Sequence, residues 1–477
     1  MSPLAMDTDV IIIGGGIAGL ACALELGKAG LRVTLLERSD ILGGRACSWT
    51  DPTTGDRVDI GPHILLTEYR NMLRLLDELG TGDRIVWQSG KFITLVDQPH
   101  PVAIYMGQLP APMHFLPSLL KAPQVSQLDL LSNYRLLWQV MRLRPADALE
   151  LDTISAEEHL RRLGVSRRMI DWFWRSAAMS IMNVPLEHCS AGALLSFFRY
   201  MIGISGYQVG FAGEGLGDLF APEAARRIEA AGGRVLLQAE VARLTGANET
   251  LTGVELADGS RIAAPLCVAA IPPQALRPLL PEPWVQQHDV FKRLADFKPS
   301  PYISSYIWFD RKLTHERFWT RVWSPTNLNY DSYDLSNIRP GWAERPSVIA
   351  SNIVYSYRAA ELADEEVIEA TVQEIAAFAP AAAQAQVRHA RVHRIPMAIP
   401  APYPGSERLR PTPRTAIDGL FLAGDWLQTG LPASMESAVR AGWLAAEQIL
   451  VATGRPHQLA LPPPPVEGLV RLLAGHG

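Results

Sequence analysis

The chain is poor in cysteine: four in 477 residues, Cys22, Cys47, Cys189 and Cys267, none in a Cys-x-x-Cys pair. That excludes a disulfide framework and a structural zinc site, and no other metal-ligating set is evident. Dispersed thiols suit a reducing compartment, so a cytoplasmic protein is expected. A basic excess is also missing. Lys and Arg number 44 against 49 acids, for a net charge of -5, which leaves nothing to neutralise a phosphate backbone and argues against nucleic-acid binding. Long apolar runs are absent too. The longest uncharged stretch, Gln98 to Leu120, is broken by Pro99, Pro101, Pro110, Pro112 and Pro117, and lipid-buried backbone must bond to itself, so no transmembrane segment is expected. Met1 to Asp9 carries Asp7 and Asp9 and no basic residue, so the apolar run after it reads as a strand rather than a signal peptide. No internal repeat is evident.

What is present is a hydrophobic content of 48% with 19% charged residues, enough for a packed protein of two or three lobes. Val10-Ile11-Ile12-Ile13 is a β-branched run of the kind found in buried parallel strands. Gly14-Gly15-Gly16-Ile17-Ala18-Gly19 follows, then a helix from Leu20 to Ala29 closed by Gly30, then a strand Arg32–Glu37. This is a G-x-G-x-x-G in its proper setting, strand before and helix after. Gly14 permits the turn, Gly16 lets backbone approach a pyrophosphate, and Gly19 lets helix and strand lie close. Ile17 and Ala18 open the helix whose free N–H groups would face the phosphates. Glu37, followed by Arg38, is placed to accept hydrogen bonds from ribose hydroxyls. The motif alone does not separate NAD from FAD.

Leu42-Gly43-Gly44-Arg45 follows and resembles the second glycine pair of the FAD-dependent amine oxidase and carotenoid desaturase superfamily. Two glycines let the chain pass over a dinucleotide, and Arg45 can neutralise its charge or make a surface ion pair. At the other end, Gly419 to Asp425 is a strand and turn, and Leu431 to Val451 begins with Pro432, Ala433, Ser434, Met435 and Glu436. Pro432 and Ser434 are helix-start residues and Glu436 suits a first turn. This segment resembles the close of the FAD domain in the same superfamily. The resemblance implies that Gly424 and Asp425 contact the ribityl and phosphate portion, that the amides near Ala433, Ser434 and Met435 face the flavin pyrimidine, and that Val241 contacts adenine. FAD would be held without a covalent bond, since no cysteine lies beyond residue 267 to anchor it in the C-terminal unit.

The resemblance implies an α/β fold: a discontinuous Rossmann-type FAD-binding domain carrying an inserted mixed α+β substrate lobe, as in amine oxidases and phytoene desaturases. The FAD domain is expected at 1–100, 210–275 and 390–452. A helical lobe facing substrate and membrane is expected at 101–209, the sheet part of the substrate lobe at 276–389, and a Pro-rich tail at 453–477. Leu130 to Met141 and Met169 to Ile181 carry apolar residues at helical spacing. Thr252 to Leu256 and Arg261 to Ala263 read as a hairpin turned at Asp258-Gly259.

Three further segments point to a branch of the superfamily. Asp59 to Leu66, with Tyr69 and Arg70, resembles the flavin-adjacent segment of plant-type phytoene desaturases and hydroxysqualene dehydroxylases. It places Gly61, Pro62 and His63 at the cofactor. Ile307 to Arg311 resembles a strand of the same enzymes, and Ala423 to Trp426 with Thr429 to Glu436 is most similar to hydroxysqualene dehydroxylases. Those enzymes tend to have Gln before the histidine where this chain has Pro62, and the Gly-Pro pair is closer to bacterial carotenoid desaturases. The implied activity is hydride transfer between flavin N5 and a hydrophobic isoprenoid. Dehydroxylation of hydroxysqualene to squalene is the first expectation, and phytoene-type desaturation, amine oxidation and flavin binding without turnover are the alternatives. His63 either protonates a departing hydroxyl or only holds its loop. For an amine oxidase the nearest candidate lysine is Lys298, one of six in the chain. Phe115, Leu116, Leu119, Trp172, Phe173, Trp174, Phe197 and Phe198 are candidates for an apolar channel. Leu116, Leu119, Leu120 and Lys121, with Arg167 and Arg168, are candidates for peripheral contact with the cytoplasmic membrane that would supply such a substrate. Oligomeric state is not legible.

Overall fold

The computed structural model describes residues 8–97 and 101–473. Asp7 and Pro99, used in the sequence reading, lie outside the described residues. A five-stranded parallel sheet forms the nucleotide-binding part, in the order Arg234–Leu236, Val33–Leu36, Val10–Ile13, Leu266–Ala269, Leu420–Leu422. Its strands come from three separate stretches of sequence, and Ile12 at its centre pairs with Leu35 on one side and Val268 on the other. Val10 and Ile12 pack into a layer with the helices Ile17–Lys28 and Met435–Ala452. Ile11 and Ile13 pack the other way, against Val241, Leu244 and Val254 of a three-stranded antiparallel sheet. Burial on both faces is why this strand is an unbroken apolar run rather than an alternating one. Thr250–Leu256 and Arg261–Ala263 form the expected hairpin.

The second large sheet has seven strands, in the order Val387–Pro400, Pro299–Phe309, Val348–Val354, Asp331–Asp334, Phe318–Arg321, Lys91–Val96, Val102–Tyr105. Lys91–Val96 and Val102–Tyr105 therefore belong to the same sheet as 299–354, and the division expected at 100 falls between two paired strands. The division expected at 390 likewise falls inside the long strand Val387–Pro400, which pairs with Pro299–Phe309. In both places cross-strand pairing with distant sequence, invisible to local pattern, decides membership.

Helices fill the stretch from Leu116 to Gly203. The expected helix over Leu130 to Met141 is interrupted between Gln127–Leu131 and Tyr134–Arg142. Asn133 causes the break: its amide donates to the carbonyls of Asp129 and Leu130 and its Oδ1 accepts from Trp174 Nε1, in competition with the helix's own bonds. Arg167 to Met182 is continuously helical with two π-helical stretches, Ile170–Trp174 and Ala178–Met182. The tail returns across the molecule. Leu461 N–H donates to Asn71 Oδ1, Glu467 N–H to the Gly203 carbonyl, and Val470 is buried in the helical core. No helix among the described residues is long and apolar enough to cross a membrane.

Candidate functional site

The glycine loop between Val10–Ile13 and Ile17–Lys28 is shaped by close approach. A Cβ on Gly19 would lie 2.0 Å from the Gly14 carbonyl oxygen, whereas one on Gly16 would meet only Gly44 Cα, at 4.0 Å. Gly19 thus serves helix–strand packing, and the space beside Gly16 is left for something other than protein. Gly43 N–H donates to the Gly15 carbonyl at 2.9 Å, stacking the second glycine pair on the first. No side chain caps the N-terminus of Ile17–Lys28, so its first-turn amides are free for an anion. At the end of Val33–Leu36, Glu37 accepts from Gly15 N–H at 2.8 Å and Ser39 N–H at 2.9 Å. Each carboxylate oxygen keeps a lone pair for a ribose hydroxyl.

The C-terminal unit meets this loop directly. Arg45 Nη2 donates to Asp425 Oδ1 at 2.7 Å, Nη1 to Oδ2 at 3.2 Å and also to the Ala398 carbonyl at 2.8 Å. Arg45 is therefore committed to the Gly424–Asp425 turn, and its charge is shared between that carboxylate and the groove. Arg410, which sequence reasoning passed over, fixes the same turn by donating to the carbonyls of Asp425 and Leu431. Ser434 caps Met435–Ala452 by accepting from Ser437 N–H. Glu436 stands in the first turn of that helix, as expected, and also reaches across to another. Its carboxylate takes the N–H groups of Asn71 and Met72, capping the helix Arg70–Leu79.

These segments line one continuous cavity of about 1180 Å³, above the usual about 300–1,000 Å³ of a single-ligand site. Gly14, Gly16, Ile17, Ala18, Glu37, Arg38, Gly43, Gly44, Arg45, Gly61, Pro62, His63, Val241, Gly424, Asp425, Ala433, Ser434 and Met435 all border it. Gly19 does not, in keeping with its packing role. The open cradle at Gly16, the uncapped helix end and Glu37 are a donor and acceptor set that fits a dinucleotide such as FAD.

The same cavity is also bordered by an aromatic and aliphatic set, Phe115, Leu116, Leu119, Phe173, Phe197 and Phe198, which forms its apolar chamber. Trp172 and Trp174 are core instead, their indole N–H groups bonded to Asp97 and Asn133. Lys298 is exposed and no lysine borders the cavity. His63 borders the cavity and its side chain is exposed there. Burial holds its imidazole below the ordinary histidine pKa, against the opposing pull of its bond to Gly61. Nδ1 lies 2.8 Å from the Gly61 carbonyl. A carbonyl only accepts, so Nδ1 carries the proton and Nε2 presents a lone pair at neutral pH.

The sequence reading missed the sheet wall of the chamber. Tyr302, Tyr330, Asp331, Tyr333 and Asn352 border it. Ser304, Asn352 and Asp331 are directly paired across three adjacent strands, and Gly61 packs over Ser304 and Asn352. Asn352 Nδ2 donates to the Pro62 carbonyl at 3.4 Å and to Asp331 Oδ2 at 3.3 Å. No motif announces this row, because its members are brought together by strand register alone.

The family model for flavin containing amine oxidoreductases matches residues 17–450. The chain is 29% identical over 467 residues to 15-cis-phytoene desaturase of Solanum lycopersicum, covering 93% of this chain and 77% of that one. It is 28% identical to the enzyme of the same name from Synechococcus elongatus, over 92% and 95% of the two chains. With zeta-carotene desaturase of Synechocystis it shares 25% identity over 94% and 98%. Among solved structures, putrescine oxidase bound to putrescine superposes with a TM-score of 0.69 at 18% identity, over 94% of this chain and 99% of that one. A putative protoporphyrinogen oxidase from Exiguobacterium gives 0.68 at 16%, with the same coverage.

Proposed function

The chain belongs to the flavin containing amine oxidoreductase family, and from that premise we propose that it acts on a long, water-insoluble isoprenoid, in the first place removing the hydroxyl of hydroxysqualene to give squalene. It is an FAD-dependent oxidoreductase. When bound, FAD supplies hydride transfer at its N5, and the protein supplies orientation and electrostatics. The observation that carries the reading is the single cavity that joins the dinucleotide cradle to an aromatic, aliphatic chamber.

Each part of the chain has a task in this reading. Gly14 to Ala18, Glu37 and Arg38 hold the adenosine and phosphates, with Val241 beside the adenine. Gly43 to Arg45 and Gly424–Asp425 hold the phosphate and ribityl portion, and the amides at Ala433 to Met435 face the flavin. Phe115, Leu119 and Phe197 strip water from the isoprenoid, where fully burying a large apolar side chain is itself worth about 1.5–3 kcal/mol. His63 Nε2 accepts a hydrogen bond from the chamber side. The similarity of Ala423 to Trp426 and Thr429 to Glu436 to hydroxysqualene dehydroxylases supports the alcohol substrate.

A second reading, desaturation of a phytoene-type hydrocarbon, is favoured by the relatives' names and by the bare His63 Nε2, which can take a proton. Amine oxidation has less support, because Lys298 lies away from the cavity.

The route by which the substrate reaches the chamber is also proposed. Leu128, Leu131, Tyr134 and Trp138 are more than half exposed, as is Leu472 of the tail helix Gly468–Leu473. That helix packs on Tyr134–Arg142. Arg135 and Arg142 sit over the rings of Tyr134 and Trp138. Apolar residues flanked by aromatic–arginine pairs suit the headgroup level of a bilayer. Anaerobic mixing of the holoprotein with hydroxysqualene, squalene and phytoene, with flavin absorbance and products followed, tests the function. Squalene formed from hydroxysqualene by the reduced protein is expected. Inertness toward all three would remove the proposal.

A further inference from the structure

If the substrate is an isoprenoid alcohol, its hydroxyl needs a proton to leave as water. His63 is poorly placed to give one. Its single proton is held by the Gly61 carbonyl, and burial opposes a second. Another candidate borders the chamber.

Asp331 opens the strand Asp331–Asp334 and borders the chamber. Its Oδ2 accepts from Tyr333 Oη at 2.9 Å and from Asn352 Nδ2 at 3.3 Å. Asn352 in turn reaches the Pro62 carbonyl, next to His63. The carboxyl thus stands one side chain away from the loop placed at the flavin. Its other oxygen, Oδ1, has no hydrogen-bond partner, and neither has Asn352 Oδ1 nor Ser304 Oγ beside it. Orphaned polar atoms are rare in native interiors, and each calls for an explanation.

We propose that Asp331 is the proton-donating residue of the chamber, binding the hydroxyl of the substrate through its carboxyl and protonating it as it leaves. The inference rests on the reading of the substrate as an isoprenoid alcohol. In the step, the O–H bond of the Asp331 carboxyl breaks and its proton joins the hydroxyl oxygen. The C–O bond breaks with its electron pair, releasing water. Reduced FAD, when bound, would supply the hydride that fills the carbon's vacancy and so balances the step, and Asp331 is left as a carboxylate to be reprotonated.

Burial pushes the Asp331 carboxyl up to about 6, against the opposing bonds from Tyr333 and Asn352. The ionisable groups facing it are the phenols of Tyr302, Tyr330 and Tyr333. Arg321 on the neighbouring strand turns instead to the Glu374 carbonyl, and Glu374 to the amides of Leu328 and Asn329. The acid form therefore falls away as pH rises through about 6.

The test compares the holoproteins of wild type, D331N, D331E and Y333F in single turnover with hydroxysqualene across pH. Wild type should slow as pH rises above about 6. D331N should be slower by roughly 100-fold or more, the scale of lost general acid catalysis, with no such limb. D331E should recover part of the rate. Y333F, which loses a bond to the carboxylate form, should carry the limb to higher pH. Infrared spectra of the proteins without FAD give a readout independent of turnover: a protonated-carboxyl band that titrates near 6 in wild type and is missing from D331N. D331N with the rate and limb of wild type, or an unchanged limb in Y333F, would overturn the role of Asp331 and spare the substrate reading. A wild type inert toward hydroxysqualene would overturn the substrate reading and the inference with it.

Discussion

Arg45 and Asp425 are 380 positions apart in sequence and joined by two hydrogen bonds. The guanidinium comes from the second glycine pair and the carboxylate from the last turn of the nucleotide sheet. The Asp425 side chain is only 6% exposed and that of Arg45 32%. The pair is thus a fastening between the two ends of the chain as well as part of the groove.

Removing one partner should cost more than removing both. R45M leaves the Asp425 carboxylate enclosed without its cation, a loss on the order of 3 kcal/mol. The double variant R45M/D425N should recover part of that. Denaturant melts of the three proteins without FAD check this, and equal losses from the single and double variants would contradict it.

Gly16 and Gly19 should separate cofactor binding from folding. G16A should leave the FAD-free protein folded, because its Cβ meets nothing closer than 4.0 Å, yet purify without yellow colour. G19A drives a Cβ to 2.0 Å from the Gly14 carbonyl and should lose soluble expression or several kcal/mol of stability, on the order of other overpacked cores. The absorbance ratio of flavin to protein, read beside circular dichroism, decides between the two behaviours.

Asp51 should set part of the acid limit of the fold. Burial works against its charge, but Arg391, the amides of Thr53 and Thr54 and His389 outweigh it and hold the carboxyl well below its usual 3.8. The carboxyl is fully covered by these partners although it lies near the surface. Below 3.8 the unfolded chain takes up a proton that the folded one refuses, so stability present at neutral pH drains away as pH falls further. D51N should be less stable than wild type at pH 7 by roughly 1–3 kcal/mol, as for a lost charged hydrogen bond. The gap should narrow as the medium is acidified. A gap independent of pH in urea titrations would refute the assignment.

The exposed apolar face should govern attachment to lipid. Leu128 and Leu472 are 78% and 80% exposed, so serine at either costs the fold little. L128S/L472S should reduce flotation with anionic vesicles by roughly tenfold, as two large side chains leave the bilayer. Flotation equal to wild type, or none in wild type, would count against membrane contact.

Sequence disclosed most where chemistry is written in adjacent residues. The motifs at Gly14 to Gly19, Glu37, Gly43 to Arg45 and Gly424–Asp425 are legible because turns and dinucleotide sites demand particular residues at fixed spacing, and the structure brings Gly14, Gly16, Ile17, Ala18, Glu37, Gly43 to Arg45 and Gly424–Asp425 around one groove. The sheet wall was not legible, since Asp331 and Asn352 sit on separate strands and meet only through register. Glu436 stands in the first turn of its helix as expected, but the reach of its carboxylate was not legible. Its actual partners, Asn71 and Met72, lie more than 360 residues upstream. The division at 100 failed because pairing of Lys91–Val96 with Phe318–Arg321 leaves no mark on either segment.

The parallel sheet that frames the groove is completed by Leu420–Leu422, and Asp425 lies just beyond it. During synthesis the ribosome must therefore deliver the stretch from Val10 through Asp425 before a flavin nucleotide can be gripped from both sides. Until then the glycine loop waits as a half-made clamp, and a nascent chain halted before residue 420 should stay colourless however much FAD surrounds it.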